Sequence, residues 1–98
     1  MSNSETATKT ETRLRQPSLW KVMLHNDDYT PMDFVVRVLV DIFGKSENEA
    51  YELMLAVHES GKANVLLTTK EIALAKAKKT TLAASAYGHP LMASAEEA

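Results

Sequence analysis

The chain of 98 residues contains no cysteine. Disulfide staples, thiolate metal sites and thiol redox chemistry are therefore excluded, and a reducing compartment suits the composition. Glycine and proline number only three each, so each one acts as local punctuation and not as part of a linker. Long apolar runs are missing too. The run that begins at Phe34 is broken by Arg37 after three residues, and the N-terminal stretch has no apolar segment. Neither a membrane span nor a secretory leader is expected. No charge of one sign dominates: the net is −2 at pH 7, which gives no reason to invoke a nucleic acid or an anionic membrane. Catalytic signatures are lacking as well. Gly61-Lys62 has neither the preceding glycine nor the following Ser or Thr of a phosphate loop, no H-E-x-x-H spacing occurs, and no Ser-His-Asp or Cys-His set can be argued.

What is present suggests one small domain. Residues 1–17 are rich in Ser, Thr, Glu and Lys, have no aromatic residue and end at Pro17. Such a segment cannot offset the entropy of ordering and reads as a flexible N-terminal tail. The folded unit is expected over residues 18–95, with 96–98 as an acidic, disorder-prone end. About 80 residues bury only ~60% of their unfolded surface, so a groove or shallow pocket is expected rather than an interior cavity.

The pattern predicts β-α-α-β-α-β. Leu19 to Leu24 reads as a strand with Trp20, Val22 and Leu24 on the core face and Lys21, Met23 and His25 on the other. Thr30 suits an N-cap and Pro31 the first helical position; the series Met32, Val35, Val36, Leu39 is the apolar face and Gly44 the stop. Ser46 with Glu49 is a capping box for a second helix, buried through Ala50, Leu53, Met54 and Val57 and ended by Gly61. A short strand follows over Ala63 to Thr69. An alanine-rich helix then runs from Lys70 to Tyr87, with Ile72, Ala73, Ala77 and Thr80 inward and Lys76 and Lys79 in solvent. His89 to Ala93 is read as the last strand. Together these elements predict an α+β fold, a three-stranded, largely antiparallel sheet packed on helices.

Two segments concentrate chemistry. Asn26-Asp27-Asp28-Tyr29-Thr30-Pro31-Met32 puts an amide and two carboxylates at the end of an apolar strand, and Leu53-Met54-Leu55-Ala56-Val57-His58 puts Met54, Val57 and His58 on a helix. An Asn-Asp turn is an ordinary strand-to-helix link, and a histidine at the rim of an apolar helix face is usually structural. If the segments converge, however, they form a hydrophobic hole with an anionic mouth, suited to a large apolar side chain beside a positive charge. A free N-terminal Leu, Phe, Tyr or Trp has that form. The other readings are a small metal-dependent enzyme using Asp27, Asp28 and His58, and an interaction domain with no pocket. Lys76, Lys78 and Lys79 read as a solvated helix face.

The motifs Asn-Asp-Asp-Tyr-Thr-Pro-Met at 26–32, Leu-Met-Leu-Ala-Val-His at 53–58, Gly-Lys-Ala at 61–63 and His-Pro-Leu at 89–91 resemble the ClpS adaptor family, in order and over the whole folded part. The resemblance implies a cytoplasmic, bacterial, monomeric adaptor without enzymatic activity, cofactor or metal. Such adaptors bind N-degron substrates through their N-terminal hydrophobic residue and deliver them to the N-terminal domain of a ClpA-like AAA+ unfoldase of the Clp protease. It also implies α-amino binding by Asn26, Asp28 and His58, with Asp27 assisting. Thr30, Met32, Val35, Met54, Val57 and Leu91 would form the pocket, with Met32 as a gatekeeper against β-branched residues. Glu71 and Lys76 would contact the unfoldase, and the tail would engage it during delivery. His25 and Leu74 depart from the family pattern, which has an aliphatic and a charged residue there.

Overall fold

The computed structural model describes residues 18–98. Along the chain run β1 (Trp20–His25), α1 (Met32–Asp41), α2 (Glu47–Ser60), β2 (Lys62–Thr68), α3 (Lys70–Ala86) and β3 (Met92–Glu97). The strand order is β2-β1-β3 and both pairings are antiparallel, so the expected α+β architecture stands with a sheet that is wholly antiparallel. The tail over residues 1–17 lies outside the described residues. Among those described, no helix is long and apolar enough to cross a membrane.

Local chemistry sets the helix ends. The Ser46 hydroxyl accepts the Glu49 N–H at 3.2 Å, completing the start of α2, and Gly61 ends it at φ +88°, a left-handed conformation that a Cβ would strain. Thr69 caps α3 by accepting the Ile72 N–H at 3.4 Å. The start of α1 differs from expectation. Pro31, not Thr30, is the capping residue, and it makes no side-chain cap bond; Thr30 is engaged elsewhere, as described below.

One hydrophobic core joins the sheet to all three helices through Val22, Leu24, Val65, Val35, Leu39, Met54, Val57, Ala73, Ala77 and Leu91. Each large apolar side chain that is fully buried contributes ~1.5–3 kcal/mol. Met23 is buried although it points away from Val22 and Leu24, on a central strand flanked on both edges by β2 and β3. Between Val22 and Met23 the pairing with β2 shifts from Leu66 to Asn64, leaving Val65 as the extra residue of a bulge.

Several expected faces are corrected. On α1 the buried set is Val35, Val38 and Leu39; Val36 is half-buried and Met32 is 49% exposed. Ile72 on α3 is exposed, and Ala73, Ala77, Thr80 and Ala84 turn inward, small residues that let the helix approach the sheet. Lys76 is not free in solvent, because its Nζ donates to the Ile42 carbonyl at 2.6 Å. The last strand begins only after His89-Pro90-Leu91 and runs through the end that was expected to be disorder-prone. Glu97 pairs opposite Trp20, Glu96 lies 4.0 Å from Lys21, and the Ala98 N–H donates to the Leu19 carbonyl at 2.9 Å. Residues 96–98 thus belong to the folded unit.

Candidate functional site

The turn after β1 is organised by one side chain. Asp27 Oδ1 accepts the backbone N–H groups of Tyr29 at 2.8 Å and Thr30 at 2.7 Å, while Oδ2 accepts the Thr30 hydroxyl at 2.8 Å. Partial burial pushes the Asp27 carboxyl up, yet the bonds from Thr30 and Tyr29, helped by the charge of His89, outweigh this and hold its pKa below the ordinary carboxylate value. Asp27 and Thr30 therefore serve each other and shape the loop.

The Asn26 N–H donates to the Gly61 carbonyl at 2.8 Å. This bond ties the turn to the C-terminal end of α2, where His58 stands one turn before Gly61. Asn26, Asp28 and His58 are exposed, and no side-chain hydrogen bond occupies any of them among the described residues. A carboxylate, an amide oxygen and a neutral imidazole nitrogen are all acceptors. Asn26 and Asp28 follow β1 and His58 lies in the last turn of α2, the two segments being tied by the Asn26–Gly61 backbone bond.

The apolar residues expected beside them divide into two groups. Val35, Met54, Val57 and Leu91 are buried in the common core, Leu91 directly preceding the residue that pairs with His25. Met32 stands at the surface and Thr30 is half-buried. Glu71 is remote from this group. It lies exposed in the first turn of α3, next to Lys70, whose ammonium sits 5.2 Å over the Trp20 ring at the opposite end of β1. At ~3.3 Å per residue, the strand separates the two places by about 15–20 Å.

Sequence reasoning missed two features. His89 packs edge-on against Phe34 at 4.7 Å between ring centroids, and Phe34 meets Tyr87 at 5.6 Å, which closes the far side of the turn with aromatic rings. No periodicity signals that contact. The Asp27–Thr30 bond, by contrast, was available from the Asp-x-x-Thr spacing, because short acidic side chains bond backbone groups two and three residues on. His25 is accounted for as well: its Nε2 lies 2.7 Å from Ser94 Oγ across to β3. Among the described residues no group of three or more His, Asp or Glu could hold a metal ion.

A family model described as the ATP-dependent Clp protease adaptor protein ClpS matches residues 15–94. The chain belongs to the ClpS family. It is 44% identical to the ATP-dependent Clp protease adapter protein ClpS of Deinococcus radiodurans over 95 residues, spanning 97% of this chain and 84% of that protein. With the protein of the same name from Oleidesulfovibrio alaskensis it shares 48% over 87 residues, 89% of this chain and 84% of the other. A solved structure of Agrobacterium tumefaciens ClpS2 bound to L-phenylalaninamide superposes with a TM-score of 0.83 at 42% identity, covering 85% of this chain and all of that one. Membership makes this chain an adaptor of the Clp protease, not an enzyme, and the metal-dependent alternative is set aside.

Proposed function

We propose that this ClpS adaptor captures polypeptides by a free N-terminal Leu, Phe, Tyr or Trp and delivers them to a AAA+ Clp unfoldase. The observation that carries this reading is the ClpS2 relative bound to L-phenylalaninamide. That molecule has a free α-amino group, an aromatic side chain and an amide where a polypeptide would continue. In this chain Asn26, Asp28 and His58 would accept the ammonium, with Asp27 assisting by holding the turn. Thr30, Met32, Val35, Met54, Val57 and Leu91 would receive the side chain, Met32 guarding the entrance. Glu71 and Lys76 would meet the N-terminal domain of a ClpA-like unfoldase, and Lys76 would leave its carbonyl partner to do so. The reading makes the protein a monomer of the bacterial cytoplasm that needs no cofactor.

Fluorescence anisotropy with peptides differing only at their first residue tests it. A Phe-initiated peptide should bind and its N-acetylated form should not. Hydrogen bonds to a charged group contribute ~1.5–3 kcal/mol each, so removing the ammonium should lower affinity by orders of magnitude. An acetylated peptide binding within threefold of the free one would overturn the assignment.

A further inference from the structure

With five methionines and no cysteine, the chain carries its only oxidisable sulfur as thioether. Oxidation of a thioether follows the access of the oxidant to the sulfur. Met1 lies outside the described residues, and the other four divide sharply. Met23 and Met54 are 8% and 3% exposed, whereas Met32 and Met92 are 49% and 57% exposed. The two exposed methionines differ in their surroundings. Met92 pairs opposite His25, and strand alternation puts it on the sheet face of His25 and Met23, away from the face that Val22 and Leu24 share with Ala95 and Ala93. Met32 opens α1 and, with Met54, Val36 and Tyr51, lines an open groove of about 670 Å³ between α1 and α2. Among the described residues, Met32 alone combines an accessible sulfur with a place in the group proposed to receive the captured side chain.

Hydrogen peroxide supplies the oxygen for such a reaction. A sulfur lone pair attacks one peroxide oxygen, the O–O bond breaks, and the other oxygen leaves as water once protons have shifted; sulfur loses two electrons and the peroxide gains them. The sulfoxide that results keeps the length of methionine but replaces a soft apolar surface with a polar S–O group. In water its oxygen is hydrogen-bonded. Pressed between Met54, Val36 and an arriving aromatic or leucine side chain, it would lose that hydration with no donor to replace it, which is unfavourable. Oxidised Met32 should therefore weaken capture. The coupling also runs the other way, because a bound side chain that covers Met32 keeps the oxidant from its sulfur. Reduction restores the thioether: a dithiol removes the oxygen as water and becomes a disulfide, in the reaction that methionine sulfoxide reductases catalyse.

We propose that Met32 is a reversible oxidation site through which hydroperoxides turn substrate capture down. The inference rests on the N-terminal-residue reading above. Full-length protein treated with hydrogen peroxide, with or without saturating phenylalaninamide, tests it; peptide mass spectrometry locates the added oxygen and anisotropy with a Phe-initiated peptide reads the affinity. Met32 and Met92 should both gain oxygen, and phenylalaninamide should slow the reaction at Met32 but not at Met92. The oxidised protein should bind the peptide about tenfold or more weakly. Met92→Leu should lose affinity on treatment as wild type does. Met32→Leu, compared with its own untreated affinity, should lose none. Treatment with the two sulfoxide reductases, one for each epimer, and a dithiol should return wild type to its starting affinity, which separates the effect from unfolding. Affinity within about twofold after Met32 is oxidised, an equal loss in Met32→Leu, a loss that reduction does not reverse, or oxidation of Met32 at the same rate with and without phenylalaninamide would each overturn the oxidation site alone. Failure of the Phe-initiated peptide to bind untreated wild type would overturn the underlying reading and the oxidation site with it.

Discussion

Asp27 organises the turn after β1 through three hydrogen bonds of its own. Its carboxylate holds the loop between Asn26 and Thr30, and Asp27→Ala should destabilise the protein by about 1–2 kcal/mol, the range of a lost capping side chain. Because the folded-state pKa is depressed, the unfolded chain takes up the proton first as the medium is acidified. The contribution of Asp27 is complete above the ordinary value of 3.8 and is lost as pH falls through the lower folded value. Acid denaturation monitored by circular dichroism should show wild type and Asp27→Ala converging at the acid end. A constant gap between them would remove the carboxylate charge from the account. Met32 offers a complementary test, since its half-exposed side chain stands where the buried Val35 and Met54 would be reached. Met32→Ala should admit peptides that begin with Ile or Val while keeping those that begin with Leu or Phe. Continued rejection of Ile and Val by the folded variant would place the gate elsewhere. The Asn-Asp-Asp run marks the polar side chains that follow β1, whereas the diversion of Asp27 into the loop is readable only from its spacing to Thr30.

At the scale of the elements, the helices were legible wherever a cap or a stop residue named their ends. Ser46 caps α2 and Gly61 ends it as expected, while Thr69, read from the sequence as the end of the strand, caps α3. The last strand was misplaced because His89-Pro90-Leu91 looked more apolar than Ala93-Ser94-Ala95, whose small residues carry almost no pattern. Burial on α1 was misassigned by part of a turn, since a row of valines offers more than one apolar face and only packing against α2 and the sheet selects one. The Lys76 bond to Ile42 could not be read at all, being a contact across 34 positions. It supplies a cation to the C-terminal end of α1, where carbonyls lack partners inside the helix and no basic residue lies in the last turn. Lys76→Met should cost about 1 kcal/mol and lower the melting temperature, and Lys76→Arg should restore most of it. Equal melting of wild type and Lys76→Met would show the bond to be energetically idle.

For the molecule as a whole, the sheet keeps the two proposed contacts apart. The acceptor cluster lies beyond His25 at one end of β1, and Glu71 lies near Trp20 at the other. Glu71→Lys should therefore leave peptide affinity within twofold of wild type while slowing degradation of an N-degron reporter by the reconstituted protease. Parallel loss of both would indicate that the two ends are coupled. The position of β1 has a mechanical meaning as well. It is the first strand in the chain and also the middle one, hydrogen-bonded along its length to β2 and β3. Tension applied to the backbone upstream of Leu19 would act along this strand, while its hydrogen bonds run across it. Both ladders would then be loaded in shear and have to rupture together, whereas an edge strand pulled sideways unzips one bond at a time. A pull from the N-terminal side of the domain thus meets the strand that is hardest to remove.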